Sequence, residues 1–188
     1  MLIISLLIGS LCAHAASPLA IYGARARFEG QELIYQPNPW LNLSALKVES
    51  LNLETGRRLP FRVKAQAGAE WKLEPNFGEL QSWVREPEVF VVSDPAGNEL
   101  DRTYYQLGSL LDNLYRFDGC LGICWEKGRP VLRVWAPTAR KVSVAWEKGN
   151  TAPLNKASQG VWELAGESAW KNKAYRLAVE VFTPASGK

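Results

Sequence analysis

Apolar and polar residues alternate along most of the chain, in short runs that end at turn residues. In the first half these runs cover residues 24–28, 32–35, 46–51, 60–64 and 89–92. The last run is closed by Ser-Asp-Pro-Ala-Gly-Asn, a dense cluster of turn-forming residues. Because a period of two bounded by turns is typical of half-buried strands, we expect a β-sandwich of roughly seven strands over residues 20–105.

The second half of the chain repeats the strand pattern. Alternating runs cover residues 130–135, 142–146, 161–164 and 174–182, and each is followed by Pro or Gly. Between the halves, apolar residues recur at helical spacing from Leu107 to Tyr115. The sequence therefore predicts an all-β protein of two consecutive β-sandwich domains, with a short helical linker over residues 106–116 and a second domain over residues 117–188.

The N-terminus has a different character. Leu2–Leu11 is an apolar run too short to span a bilayer, and small residues follow at Ala13 and Ala15. This pattern is typical of a signal peptide over residues 1–15, so we expect an exported protein that is periplasmic or extracellular and has no stable membrane insertion. The alternative is that Leu2–Leu11 forms a buried strand or helix.

Composition excludes several classes of function. Lys and Arg number 22 against 19 Asp and Glu, so there is no broad basic surface for nucleic acid. The one histidine, His14, lies in the predicted signal peptide. A mature chain without histidine cannot form a Ser-His-Asp triad, a Cys-His dyad or a His-ligated metal site. We expect no metal and no cofactor.

Several motifs in the last hundred residues resemble type I pullulanases and limit dextrinases of glycoside hydrolase family 13. The most specific is Trp-Ala-Pro-Thr-Ala at residues 135–139. The others are Leu-Leu-Asp at 110–112, Tyr-Arg-Phe-Asp-Gly at 115–119, Leu-Gly at 121–122, Gly-Val-Trp-Glu at 160–163, and Pro and Gly at 184 and 187. The resemblance implies that the second domain is an immunoglobulin-like family 48 carbohydrate-binding module, truncated at its C-terminal edge, and that the first is the β-domain preceding it.

The same resemblance says where the chemistry of the family lies. Its α-1,6-glucan hydrolysis takes place in a (β/α)₈ barrel, by means of paired carboxylates. Residues 1–188 carry none of the barrel motifs, so we expect no catalytic residue here and interpret the chain as a fragment of a longer enzyme. A free-standing module is the alternative.

Three functions remain open at this point. The modules support the catalytic barrel and contact α-glucan such as starch, glycogen or pullulan; or they are purely structural; or they form an independent exported binding domain. Sugar binding requires an exposed aromatic ring beside polar side chains. The glucan-binding candidates are Trp125, Trp162, Trp170, Lys171 and Lys173.

Alternation assigns other side chains. Since Leu132 and Val134 suit the core, Arg133 and Trp135 point outward, and with Pro137 they are candidates for a domain interface. The same alternation favours the core for Trp146, and core packing is also the favoured interpretation of Trp162.

Two cysteines remain beyond the predicted signal peptide, Cys120 and Cys124. The family usually has Pro in place of Cys120. An even count in an exported chain permits a disulfide, provided that the chain turns at Leu121-Gly122, because four extended residues span about 13 Å. Two free thiols are the alternative.

Overall fold

The computed structural model describes residues 25–37, 41, 46–67, 69–75, 78, 80–146, 149–170 and 173–182. The predicted signal peptide, Trp40 and Lys171 lie outside the described residues. Two compact units divide the chain between Leu114 and Tyr115; we call them the N-terminal unit and the C-terminal unit. Among the residues that the structure describes, no helix is long and apolar enough to cross a membrane.

Within its described residues, the N-terminal unit contains eight strands and two helices. The strands are β1 Ala26–Glu29, β2 Glu32–Tyr35, β3 Lys47–Asn52, β4 Arg58–Ala67, β5 Glu70–Pro75, β6 Glu88–Ser93, β7 Glu99–Thr103 and β8 Tyr105–Gln106. The helices are α1 Leu80–Trp83 and α2 Gly108–Tyr115. The helix predicted at residues 107–115 is therefore present.

The strands of this unit follow the order β7-β6-β3-β4-β5-β2-β1-β8. The long strand β4 pairs with β3 at its beginning and with β5 further on, with a register shift between Val63 and Ala65. The two strands at the ends of this order, β7 and β8, are separated in the chain only by Tyr104. The ribbon of strands thus folds back on itself as a sandwich, as the sequence predicts.

Aromatic side chains fill the interior of the N-terminal unit. The Tyr35 and Phe90 ring centroids are 4.5 Å apart, and the Trp83 and Tyr105 centroids are 4.8 Å apart. Trp71 and Trp83 are buried, with exposed fractions of 2% and 3%. Two of the eight tryptophans are therefore core residues of this unit.

A buried charge lies in the same unit. The Asp101 carboxylate accepts a hydrogen bond from the Tyr35 hydroxyl and forms an ion pair with Arg25. The backbone N–H of Arg102 donates a further hydrogen bond of 2.9 Å to Asp101 Oδ1. Burial and the hydrogen bond to Asp101 raise the pKa of Tyr35 well above its usual range, so the hydroxyl stays a donor.

The C-terminal unit is a second sandwich. Its strands are β9 Gly122–Glu126, β10 Arg129–Trp135, β11 Lys141–Trp146, β12 Thr151–Pro153, β13 Asn155–Lys156, β14 Val161–Ala165 and β15 Tyr175–Glu180, with a 3₁₀ helix at Ser168–Trp170. One antiparallel sheet has the order β13-β14-β10-β9 and the other β12-β11-β15.

The core between these two sheets follows the predicted alternation. The buried cluster comprises Leu132, Ala139, Val142, Val144, Leu154 and Trp162. Leu132 and Val144 are fully buried, whereas Arg133 and Trp135, one and three residues further along the chain from Leu132, face away from the core. Trp125, Trp135 and Trp146 lie near the ends of strands β9, β10 and β11, and Trp170 lies in the 3₁₀ helix.

Candidate functional site

A cavity of about 400 Å³ opens at one end of the C-terminal unit. Its lining combines two tryptophans with polar side chains: Trp146, Asn150, Thr151, Ala152, Glu167, Ala169, Trp170, Lys173 and Ala174. We call it the tryptophan cavity. Its lining residues belong to strands β11 and β12, to the turn between them and to the segment between β14 and β15.

Trp146 forms one wall of the cavity because of its place at the end of β11. Val142 and Val144 face the core, so Trp146, two residues further, lies on the same face but where the sandwich opens. A turn follows, in which the Trp146 N–H donates to the Asn150 carbonyl at 3.0 Å and Gly149 adopts a φ of +82°. The turn brings Asn150 and Thr151 back to the cavity.

Trp170 packs against Trp146 and forms the adjoining part of the same wall. Its ring centroid is 4.5 Å from that of Trp146, and the two planes meet at 46°. The ring also covers the backbone of Gly166, where a Cβ atom would lie 2.3 Å from Trp170 Cε3. Gly166 is therefore the residue that lets the ring lie flat against the chain.

The polar groups of the cavity complement its rings. Lys173 is exposed and supplies an ammonium donor, while the Asn150 amide and the Thr151 hydroxyl can donate and accept. An apolar ring face beside such groups suits a ligand with one apolar face and a rim of hydroxyls. This is the chemistry of a sugar ring.

The predicted glucan-binding residues divide between several environments. Trp170 and Lys173 lie together in the cavity, and Trp125 is 52% exposed on β9, outside the cavity lining. Trp162 is only 6% exposed, and its Nε1–H donates to the Ala136 carbonyl at 3.0 Å. The prediction that Trp162 binds glucan is therefore wrong. Its ring packs in the core, which is the interpretation that the sequence favours.

Sequence reasoning missed Trp146 as a site residue. Alternation correctly places it on the core face, yet it is only partly buried and lines the cavity. The signal that could have found it is its position as the last residue of a strand before Glu-Lys-Gly-Asn, a polar turn. A core-facing residue at a strand end lies where the two sheets no longer cover each other.

The predicted interface residues lie on the outer face of the β9-β10-β14 sheet and next to it. Arg133 bridges Glu126 on β9, at 2.5 Å, and Glu163 on β14, at 3.3 Å. The hydrogen bond from Arg133 lowers the pKa of Glu126 below its usual value. Trp135 is 37% exposed, and its Nε1–H donates to the Tyr115 carbonyl at 2.9 Å.

Pro137 packs closely against the chain at Gly160. A Cβ atom on Gly160 would lie 2.7 Å from Pro137 Cβ, and the φ of Gly160 is +71°. Both features require glycine at this position. Pro137 thus fixes the segment before β14; its role at an interface stays a prediction.

The structure contains a disulfide between Cys120 and Cys124, with the Cα atoms 6.1 Å apart. The turn that such a bridge requires falls at Gly122, whose φ is +81°. Cys124 is buried, and the bridge joins it, within β9, to Cys120, which lies just before the strand. It therefore fixes the start of the strand that carries Trp125.

A second cavity, of about 330 Å³, lies in the N-terminal unit. Its charged lining residues Glu32, Lys64 and Glu74 are paired with one another, with Lys64 Nζ 3.9 Å from Glu32 and 3.8 Å from Glu74. None of its described lining residues is aromatic. Exposed ion pairs of this kind are typical of a solvated sheet surface.

The chain is all-β with two β-sandwich units, one of which has an aromatic cavity at its end. Within the chain, residues 120–187 match the family model of carbohydrate-binding module 48, the isoamylase N-terminal domain. The chain as a whole is similar to the N-terminal regions of pullulanases, which confirms the resemblance that the sequence motifs carry.

Known proteins give the extent of this similarity. Pullulanase 1 (chloroplastic) of Arabidopsis thaliana is 31% identical over 116 residues, which take in 58% of this chain and 12% of the plant protein. The crystal structure of PulA from Klebsiella oxytoca has a TM-score of 0.74 at 22% identity, with coverage of 90% of this chain and 19% of PulA.

A pullulanase from Klebsiella pneumoniae, solved in complex with maltotriose, has a TM-score of 0.71 at 20% identity. It covers 88% of this chain, which in turn spans 18% of that protein. At these identities the two solved structures show the fold. The chain thus spans a minor part of each relative that it matches.

Proposed function

We propose that this chain is the non-catalytic part of a pullulanase-type enzyme that debranches α-1,6-linked glucans, and that its C-terminal unit contacts α-glucan at the tryptophan cavity. The observation that carries the proposal is the contact between Trp146 and Trp170 at the wall of a cavity that is also lined by Asn150 and Lys173. The family match over residues 120–187 and the maltotriose complex of a structural relative support it.

A purely structural role is the second candidate. It is favoured by the burial of Trp71, Trp83 and Trp162, which shows that much of the tryptophan content serves packing. In that case the partly exposed rings would contact another protein domain, such as the catalytic barrel that the family carries, and no sugar. We propose that Arg133 and Trp135 make the contact with that barrel, since Pro137 is buried against Gly160.

Affinity electrophoresis separates the two candidates. The protein is run through native gels with and without amylopectin or pullulan, together with Trp146→Ala, Trp170→Ala and a control, Trp135→Phe, which alters an exposed tryptophan outside the cavity. We expect retardation of the parent and the control and loss of retardation in both cavity variants. If neither polysaccharide changes the migration of the parent, the proposed glucan binding is wrong and the structural role remains.

We further propose that the protein is exported. The Ala-x-Ala pattern after Leu2–Leu11 supports this, and so does the Cys120–Cys124 disulfide, because such bonds persist in oxidising compartments. N-terminal sequencing of the protein from its native host should begin at Ala16. A sequence that begins at Met1 would contradict the proposal.

A further inference from the structure

The tryptophan cavity leaves the most exposed tryptophan of the described residues unexplained. Trp125 on β9 is 52% exposed, more than Trp135 at 37%, and the cavity lining does not include it. A single exposed tryptophan is common on protein surfaces, so exposure by itself does not indicate a ligand. The position of Trp125 in the sheet, however, relates it to the cavity.

Strand register places Trp125 in one row with the wall of the cavity. Trp125 pairs with Pro130 on β10. Val131 pairs with Ala165 on β14, and the Gly166 N–H donates to the Pro130 carbonyl at 2.8 Å. Trp125, Pro130 and Gly166 therefore lie side by side across the sheet.

The same three residues share the core-facing side of the sheet. Ile123, Leu132 and Leu164 pack against the core cluster, and each lies two residues from one member of the row. Because side chains alternate along a strand, the row continues this face to the end of the sandwich. The Gly166 position on that face is filled by the ring of Trp170.

Two aromatic groups flank Pro130 on this face. Trp125 lies on one side of buried Pro130, and the ring of Trp170, which covers Gly166 and contacts Trp146, lies on the other. Adjacent strands lie about 4.8 Å apart, so the Cα atoms of Trp125 and Gly166 are on the order of 10 Å apart. The row from Trp125 to Gly166 is therefore longer than one sugar ring.

We propose that Trp125 is a second aromatic platform of one extended site, and that this site selects a linear α-glucan segment of several residues over a short oligosaccharide. The inference rests on the proposed glucan binding at the tryptophan cavity. One end of the segment occupies the cavity, and the remainder crosses Pro130 to lie against the Trp125 ring.

The test compares a short and a long ligand by isothermal titration calorimetry. Maltotriose and maltoheptaose are titrated into the full chain and into Trp125→Ala, Trp125→Phe, Trp170→Ala and the control Trp135→Phe. Since aromatic contacts contribute about 0.5–1.5 kcal/mol, we expect Trp125→Ala to weaken maltoheptaose binding about two- to twelvefold and to leave maltotriose binding unchanged. The Phe variant should retain part of the affinity.

The outcomes separate this inference from the function on which it rests. If the parent binds both sugars and Trp125→Ala changes neither affinity, or weakens both equally, the extended site is wrong while glucan binding at the cavity stands. If the parent binds neither sugar, both are wrong, and Trp125 serves contact with another protein. Equal melting temperatures of the parent and Trp125→Ala would exclude unfolding as the cause of any loss.

Discussion

The tryptophans illustrate how one residue type takes different roles through its position on a strand. Trp71, Trp83 and Trp162 are buried, Trp146 and Trp170 are partly buried at a strand end and in a 3₁₀ helix, and Trp125 and Trp135 are exposed. Alternation gives the face on which a residue lies. It does not say whether another layer covers that face, which is why the sequence did not separate Trp146 from the core.

Replacing Gly166 with Ala should impair glucan binding through Trp170. The added Cβ would lie 2.3 Å from the Trp170 ring, so the ring must leave its place beside Trp146. We expect destabilisation of about 1–3 kcal/mol and a loss of retardation in amylopectin gels. Gly108→Ala is the control, since its Cβ meets nothing within 4 Å. Unchanged retardation of Gly166→Ala would contradict the placement of Trp170.

Replacing Asp101 with Ala should destabilise the N-terminal unit strongly. The substitution leaves Arg25 without its partner carboxylate and the buried Tyr35 hydroxyl without its acceptor. Removing one partner of a buried ion pair costs about 3–5 kcal/mol. Urea unfolding followed by tryptophan fluorescence measures the loss. The control Glu29→Ala removes an exposed partner of Arg27 and should cost less than about 1 kcal/mol.

At the level of elements, most strands with clear alternation could be predicted. The runs at 32–35, 130–135, 142–146 and 161–164 correspond to β2, β10, β11 and β14 within a residue or two. Several of the strands that the sequence did not predict are short or polar. Examples are β7, with the sequence Glu-Leu-Asp-Arg-Thr, and the two-residue β13. These form because neighbouring strands supply hydrogen bonds, a tertiary effect without a local signal.

The turn between β6 and β7 should lose stability in acid. The Asn98 side-chain amide donates to Asp94 Oδ2, and the Asn98 backbone N–H donates to Asp94 Oδ1, both at 2.8 Å. These bonds favour the charged carboxylate and lower the pKa of Asp94 below its usual value of 3.8. The stabilisation is complete above the unfolded-state pKa and is lost as the pH falls through the folded-state pKa.

Carboxyl titration by NMR measures this effect. Asn98→Ala should raise the pKa of Asp94 back toward its usual value. A pKa of Asp94 that is the same in the parent and in Asn98→Ala would show that Asn98 does not stabilise the carboxylate.

The Cys120–Cys124 disulfide should stabilise the C-terminal unit and the position of β9. A closed loop of this length contributes about 2 kcal/mol in the chain-entropy model. We therefore expect the double variant Cys120→Ser/Cys124→Ser to unfold at lower urea concentration than the parent. Alkylation without reductant should leave the peptide that contains both cysteines unmodified, and two alkylated thiols would contradict the bridge.

At the scale of the whole molecule, the fold class followed from the sequence, while the site did not. Alternation and turns predict two sandwiches, and the motifs at 115–139 and 160–163 carry the family resemblance. The tryptophan cavity joins residues from β11 and β12 to residues 167–174, which only the packing of one sheet on the other brings together. No local pattern reports such a contact between sheets.

Glucan binding at the tryptophan cavity is the central claim, and titration of the full chain with maltoheptaose tests it most directly. We predict saturable binding by the parent, retained in Trp135→Phe and lost in both Trp146→Ala and Trp170→Ala while all four proteins keep the same circular dichroism spectrum. Absence of binding by the folded parent, or undiminished binding by both cavity variants, would contradict it.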